Sequence, residues 1–300
     1  RQEKTYHAWG YATKEEMEKF GRRYNPCGEM YTDADGNKHY YTDQTDNYLQ
    51  KNYQLLLNHS FSTAWNLNVA LHYTKGDGYY EEYKPGSSLV EYGLKPFNPD
   101  GTETNESDLV RQKKMDNKFG GGVFSLNYTG NRLTASLGGG LNQYRGNNFG
   151  KVTWVKNYIG ILSPEHEYYR NKSKKTDGNI YLKANYDLTS TLSAYADLQY
   201  RHIDYTIDGV NDKYDWNKNA LRPLAVDKKF DFFNPKVGLN WNITPNHRLY
   251  ASFSVAQKEP TRNNYTDGDP DSYPKAEKLL DYEVGYTFAN PWLTAGANFY

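Results

Sequence analysis

A chain of 300 residues carries 36 Lys and Arg against 36 Asp and Glu, so nothing in its bulk charge points to nucleic acid or to an acidic substrate. Mean hydropathy is −0.96, yet 16 % of the residues are aromatic, a content that disordered chains lack, so aromatic surface is being buried or anchored. Its single cysteine, Cys27, excludes a disulfide framework and a redox pair, and no apolar run of about 18 residues exists to make a spanning helix.

The chain opens on Arg1-Gln2-Glu3-Lys4 with no initiator Met and no export signal, and is expected to be an internal piece of a longer protein. Residues 1–46 are expected to form an external loop. Within it, Met17 and Phe20 spaced by three, with Glu15, Glu16 and Glu18 alongside, predict a short helix over 13–23.

From there the dominant signal is alternation with period two, the strand period. The segments that show it are 53–61, 65–73, 124–128, 133–141, 180–188, 192–200, 235–243, 249–255, 280–288 and 293–299. In the second, Trp65, Leu67, Val69, Leu71 and Tyr73 alternate with Asn66, Asn68, Ala70, His72 and Thr74. Short connections of about four residues alternate with polar, Tyr-rich stretches at 81–114, 146–175, 208–228 and 258–275, which are expected to be long loops. Short turns on one side and long loops on the other are the rhythm of an outer-membrane barrel, with turns at the periplasm and loops outside the cell. Aromatics ending the apolar faces, Trp65, Tyr73, Tyr128, Tyr186, Tyr200, Trp241, Tyr286 and Trp292, fit girdles at the headgroup level.

The opposite face is Asn, Gln, Ser, Thr, Asp, Lys and Gly, which cannot serve as a dry core because each unpaired buried polar group costs about 1 to 3 kcal/mol. It must meet water or a polar plug, and plugged lumens go with about 22 strands. The expected fold is therefore all-β: an antiparallel transmembrane barrel fragment of about ten strands, with residues 1–300 in one barrel domain and the plug and remaining strands outside the chain.

Two late stretches carry a family resemblance. Val255-Ala256-Gln257-Lys258-Glu259-Pro260-Thr261-Arg262-Asn263-Asn264-Tyr265, followed by Pro274-Lys275-Ala276-Glu277-Lys278-Leu279-Leu280-Asp281-Tyr282-Glu283-Val284-Gly285-Tyr286, resembles the late-barrel signature of TonB-dependent receptors, nearest the siderophore branch. The resemblance implies an outer-membrane receptor that takes up a scarce nutrient, an iron complex, haem, cobalamin or a glycan. It also implies outer-membrane lipid around the wall and a TonB-ExbB-ExbD-type coupling complex acting through the plug. Alternatives are a passive porin-like channel, an adhesin or secretion barrel, a glycan importer of the same family, or a soluble β-propeller or sandwich enzyme acting on glycans.

Within that reading Glu259, Pro260, Arg262, Glu277, Tyr282 and Glu283 are candidate plug contacts, or else loop-base ion pairs of the wall. Tyr79, Tyr80, Tyr83, Trp154, Tyr158, Tyr168, Tyr169 and Arg170 are candidates for a ligand-stacking mouth, with ordinary loop packing as the alternative. Asp267, Asp269 and Asp271 open like a calcium loop, but Lys278 stands where the closing carboxylate belongs. No GxSxG, phosphate loop or metal-ligand spacing exists, so no enzyme activity, resident metal or cofactor is expected.

Overall fold

The computed structural model describes residues 2–6, 10–95, 100, 102, 105–156, 158 and 166–300. Its strands in chain order are β1 (Gln2–Tyr6), β2 (Glu29–Thr32), β3 (Lys38–Tyr40), β4 (Thr45–Ser60), β5 (Trp65–Ser88), β6 (Glu106–Thr129), β7 (Leu133–Val155), β8 (Glu167–Asp187), β9 (Leu192–Asp215), β10 (Ala220–Thr244), β11 (His247–Lys258), β12 (Glu277–Ala289) and β13 (Thr294–Phe299). Eleven of them form one antiparallel meander in the order β1-β4-β5-β6-β7-β8-β9-β10-β11-β12-β13, while β2 and β3 make a separate hairpin. All ten expected strands are present as β4 to β13. The eleventh, β1, pairs with β4 from Gln2 opposite Leu49 to Tyr6 opposite Thr45.

Helix α1 (Lys14–Phe20) lies inside the expected window. Thr13 caps it: the Glu16 amide donates to Thr13 Oγ1 at 3.2 Å and the Thr13 amide to Glu16 Oε2 at 2.8 Å, which satisfies end groups that a short helix cannot satisfy internally. At its other end Gly21, with φ +87°, donates its amide to the Met17 carbonyl, a backbone angle at which other residues are strained.

Register partners share a face of a sheet, so the pairings trace rows across it. One row runs Leu67, Leu126, Leu137, Leu182, Leu198 over five strands. Another runs Trp65, Tyr128, Ala135, Ala184, Ala196, Val237, Phe253, Tyr282 over eight. Between them, on the other face, lies Asn66, Asn127, Ser136, Lys183, Asp197, Lys236, Ser254, Asp281. Leu55 and Leu141 are 67 % and 63 % exposed, so the apolar face is a broad uncovered band of the kind that water-facing surfaces avoid. Aromatics border it: Trp65 and Tyr128 lie 4.9 Å apart at the turn end, and Tyr53 and Tyr73 6.3 Å apart at the far end.

The five tight turns stand where the sequence places them, as in Gly130 donating to the Leu133 carbonyl at 2.8 Å and Asn290 to that of Leu293 at 2.9 Å. The long loop expected at 258–275 is present, as residues 259–276 between β11 and β12, whereas the other three are shorter than expected. The sheet continues through half of 81–114 and most of 146–175, parts of which lie outside the described residues, and 208–228 is a hairpin in which residues 216–219 join β9 to β10. The reason is a change of phase. A strand of 24 residues such as β5 far exceeds the 9 to 11 or so that cross a bilayer. Below the far aromatic belt the apolar side chains face one way; above it they face the other. On β9, Leu192, Ala194, Ala196, Leu198 and Tyr200 share the apolar face, whereas Ile203, Tyr205 and Ile207 continue the row of Arg201 on the polar face and are 0 %, 5 % and 1 % exposed.

Candidate functional site

Above the belts the polar face carries the side chains that can bind. After β11 the chain turns at Pro260 and lies back against β8, β9 and β10. Thr261 opens helix α2 (Arg262–Thr266), with the Thr261 amide donating to Asn264 Oδ1 at 2.8 Å. This cap aims Tyr265 into the sheet, where it is 1 % exposed, 5.8 Å from the Tyr205 ring and 5.0 Å from Tyr273. Ile203, Ile207, Leu224, Val226 and Phe232 complete the cluster. Asn211 Nδ2, donating to the Thr266 carbonyl at 2.5 Å, ties the segment to β9.

At the root of this segment Glu259 is 8 % exposed and holds two cations of the wall. Lys175 of β8 donates to its Oε1, and the Arg201 guanidinium of β9 lies 3.1 Å from its Oε2. Arg201 also reaches Asp177 at 2.5 Å, so two carboxylates and two cations alternate. Burial alone would raise the Glu259 carboxyl, but the Lys175 hydrogen bond, a backbone amide and the charges of Lys175 and Arg201 outweigh it and hold it below the usual range. Arg262 donates from Nη2 to the neutral Asn171 Oδ1 at 2.8 Å, while its buried Nε–H meets no acceptor among the described residues.

A second cluster lies beside this one. A 310 turn, Leu89–Tyr92, packs Leu89 and Tyr92 against Leu109, Val152, Tyr168 and Tyr169. His166 Nε2 lies 2.7 Å from the Tyr92 carbonyl oxygen. Arg111 donates from Nε to Glu82 at 2.5 Å and from Nη1 to the Tyr92 hydroxyl at 3.1 Å, and Lys113 pairs with Asp212 while passing 5.9 Å from the Tyr80 ring. Burial raises the Tyr92 phenol, so it stays a hydrogen-bonding hydroxyl at neutral pH.

The expected mouth residues therefore divide. Tyr80 and Tyr169 stand on the polar face, with Tyr168 packed beside them at a break in the β7–β8 register. Tyr158 packs against the same cluster. Tyr79, Tyr83, Trp154 and Arg170 stand on the opposite face, where Tyr83 stacks on Trp154 at 6.2 Å and Arg170 covers Phe149 at 4.1 Å. All but Tyr158 belong to strands and not to loops. Among the signature residues, Glu259, Pro260 and Arg262 are drawn against the wall, Glu277 pairs in register with Lys258, and Glu283 lies on the polar face 3.5 Å from the Tyr250 hydroxyl. Tyr282 sits on the apolar face, 63 % exposed and 4.8 Å from Phe253, which removes it from anything inside the wall. Asp267 is engaged by Lys213 at 2.9 Å and Asp269 caps a 310 turn, so these carboxylates do not converge. Lys175, Asp177, Arg111, Lys113 and Tyr205 were missed; the signal of the four charged residues is the plain continuation of the polar face, and that of Tyr205 is the reversal of its polarity.

Comparisons with known proteins place this geometry. A family profile described as TonB dependent receptor-like, beta-barrel matches residues 4–300. None of the curated proteins matches the sequence. Among solved structures, the closed form of the ferric-catecholate import receptor Fiu from Escherichia coli K12 is similar with a TM-score of 0.58 at 14 % identity, over 90 % of this chain and 45 % of that one. The siderophore receptor PiuA from Acinetobacter baumannii gives 0.56 at 12 %, over 90 % and 44 %. The ferric citrate transporter FecA, unliganded, gives 0.56 at 12 %, over 91 % and 37 %. The chain thus spans less than half the length of these structures, and the likeness concerns the fold. With a two-faced antiparallel wall, tight turns at one end and a family profile covering it from residue 4 to residue 300, the chain belongs to the TonB-dependent receptor β-barrel family.

Proposed function

We propose that this chain is part of the wall of an outer-membrane receptor that imports an anionic nutrient complex, an iron–siderophore in the first instance, by coupling to an inner-membrane energy source through a plug. The cargo is moved and not chemically changed. The observation that carries this reading is the polar face. Its lower rows are hydrophilic across eight strands, which suits a water-filled or plugged lumen. Its upper part gathers Tyr80, Tyr168 and Tyr169 with Arg111 and Lys113. Arg262, which among the described residues faces a neutral acceptor and keeps one N–H unspent, supplies positive charge for an anionic ligand or a plug carboxylate. Long strands that carry these groups above the lipid hold them more rigidly than loops do.

Fiu is a ferric-catecholate import receptor, PiuA a siderophore receptor and FecA a ferric citrate transporter, which supports the cargo class proposed for this chain. The test is uptake of labelled iron–siderophore, haem, cobalamin and glycan in the native host, with the full-length gene intact, deleted, or combined with a disabled coupling system. Loss of one cargo in both disabled strains establishes the importer and names its substrate. Uptake unaffected by uncoupling would overturn it in favour of a passive channel.

A further inference from the structure

Charge divides the polar face lengthwise. On β4 to β7 that face runs from Gln50 to Ser60, Asn66 to Gly78, Met115 to Asn127 and Thr134 to Asn148, and among these described positions it carries no Asp, Glu, Lys or Arg. On each of the next five strands the same face is charged, as at Lys183, Asp197, Lys236, Arg248 and Glu283. The uncharged side is a chain of neutral donors and acceptors. Asn66 Nδ2 donates to Asn58 Oδ1 at 2.9 Å, Asn68 Nδ2 to Ser125 Oγ at 3.3 Å, Asn127 Nδ2 to the same hydroxyl at 3.2 Å and Ser136 Oγ to Asn127 Oδ1 at 2.6 Å. His72 Nε2 is held 2.8 Å from Asn142 Oδ1. A hollow of about 500 Å3 opens over this stretch, with Asn58, Asn68, Ala70, Ser125 and Tyr181 among its walls. At its upper end the uncharged stretch reaches Asn148, the register partner of Asn171, which accepts from Arg262; one row higher stand Tyr80 and Lys113. At its lower end it reaches the tight turns, at Ser60 and Thr134.

We infer that this uncharged strip of the wall is the surface along which the cargo passes, and that the charged strip on β8 to β12 is where the plug stays fixed. The inference rests on the importer reading above. Charge-assisted hydrogen bonds are roughly twice as strong as neutral ones, so a plug held by them at β8 to β12 separates more readily from β4 to β7. An anionic complex would be held at each fixed cation in its path and repelled by each fixed carboxylate, whereas neutral amides and hydroxyls exchange partners with water at small net change. The strip also begins directly beneath Arg262, Lys113 and Tyr80, the groups proposed to gather the cargo, and runs without a charged interruption to the turn end.

The test places single cysteines in the full-length receptor of the native host, in a Cys27→Ser background, and follows their labelling by a charged maleimide in whole cells. Ser125→Cys and Ser136→Cys stand on the uncharged strip, Ser252→Cys and Ser254→Cys on the charged one. All four serines are half-buried, and Ser136 and Ser254 share one register row. The cells receive the iron complex identified by the uptake panel, with coupling active or disabled. Active coupling should speed labelling of the first pair about tenfold and leave the second pair unchanged, as a shift of population toward a passage open on one side predicts. Heat-modifiable mobility on gels and retained surface binding of the complex show that each variant is assembled; Asn127→Cys, in the same row as Ser136, replaces a first-pair variant that is not. Faster labelling of Ser252→Cys and Ser254→Cys, of all four positions or of none overturns the inference. If no complex is taken up in an energy-dependent way, the importer reading itself fails; energised uptake with any of those three labelling patterns sinks this inference alone.

Discussion

Arg201, midway along a strand of the wall, lies 3.1 Å from Glu259, the residue at which the chain leaves the sheet to fold back over it. The contact joins a fixed point of the barrel to the root of the segment 259–276. Glu259→Ala leaves the half-buried Lys175 and Arg201 beside each other with Asp177 to offset them, and losing the charged acceptor costs about 1 to 3 kcal/mol. We expect faster amide exchange at Tyr265 and Thr266 in the full-length protein, with the tight turns unchanged. Unaltered exchange would show that the ion pair does not hold the segment.

The same contact has a pH signature. The folded carboxyl of Glu259 lies below its unfolded value, so its contribution to stability is fully present above the unfolded pKa of about 4.3 and is lost as pH falls through the folded value. Exchange protection of 259–276 should therefore be flat from neutral pH to the ordinary carboxylate range and decline below it. In Glu259→Gln that decline should be absent.

Tyr265 is the apolar anchor of the segment, and truncating a buried aromatic costs about 3 to 5 kcal/mol. Tyr265→Ala should release the segment from β9 and β10 while leaving the wall intact, seen as new protease cleavage between β11 and β12 with heat-modifiable mobility preserved. Cleavage no faster than in the wild type would place the hold elsewhere.

On the polar face Tyr250 lies over its register partner Gly285, and a Cβ at Gly285 would fall inside van der Waals contact with that ring. Gly285→Val should cost about 1 to 3 kcal/mol through overpacking. Adding Tyr250→Ala should recover part of this in a double-mutant cycle; strict additivity would mean that the ring and the glycine are not coupled.

The two faces should respond differently to charge. Leu198→Arg, in a five-leucine row of the apolar band, should cost about 2 to 4 kcal/mol in a folding assay in lipid bilayers if it lies near the bilayer midplane, whereas Gln199→Arg, one residue on and facing the other way, should cost far less. Equal costs would contradict the assignment of the apolar face to lipid.

Arg262→Gln tests the proposed ligand surface. A loss of one charge-assisted contact predicts about tenfold weaker binding of an anionic cargo, equivalent to about 1.4 kcal/mol. Titration of the full-length receptor with candidate iron complexes would read it, and undiminished affinity would assign Arg262 to the segment's own packing.

The strand count, the tight turns and the two faces were legible in the sequence because a wall with one apolar and one polar face forces strict alternation, as in Trp65 to Thr74 or Leu192 to Arg201. Family membership was legible from Glu259-Pro260-Thr261-Arg262 and Tyr282-Glu283-Val284-Gly285-Tyr286. The upper sheet was not. There Ile203, Ile207, Leu224 and Val226 are apolar on the face that is polar below, because the segment 259–276 covers them, and nothing local in β9 or β10 announces a cover that arrives from later in the chain. Glu259 could be singled out as a charged signature residue, but its partners Lys175 and Arg201 come from strands 84 and 58 residues away. The period of the strands is a local property written in each one; which face is buried, and by what, depends on contacts that exist only once the sheet is assembled.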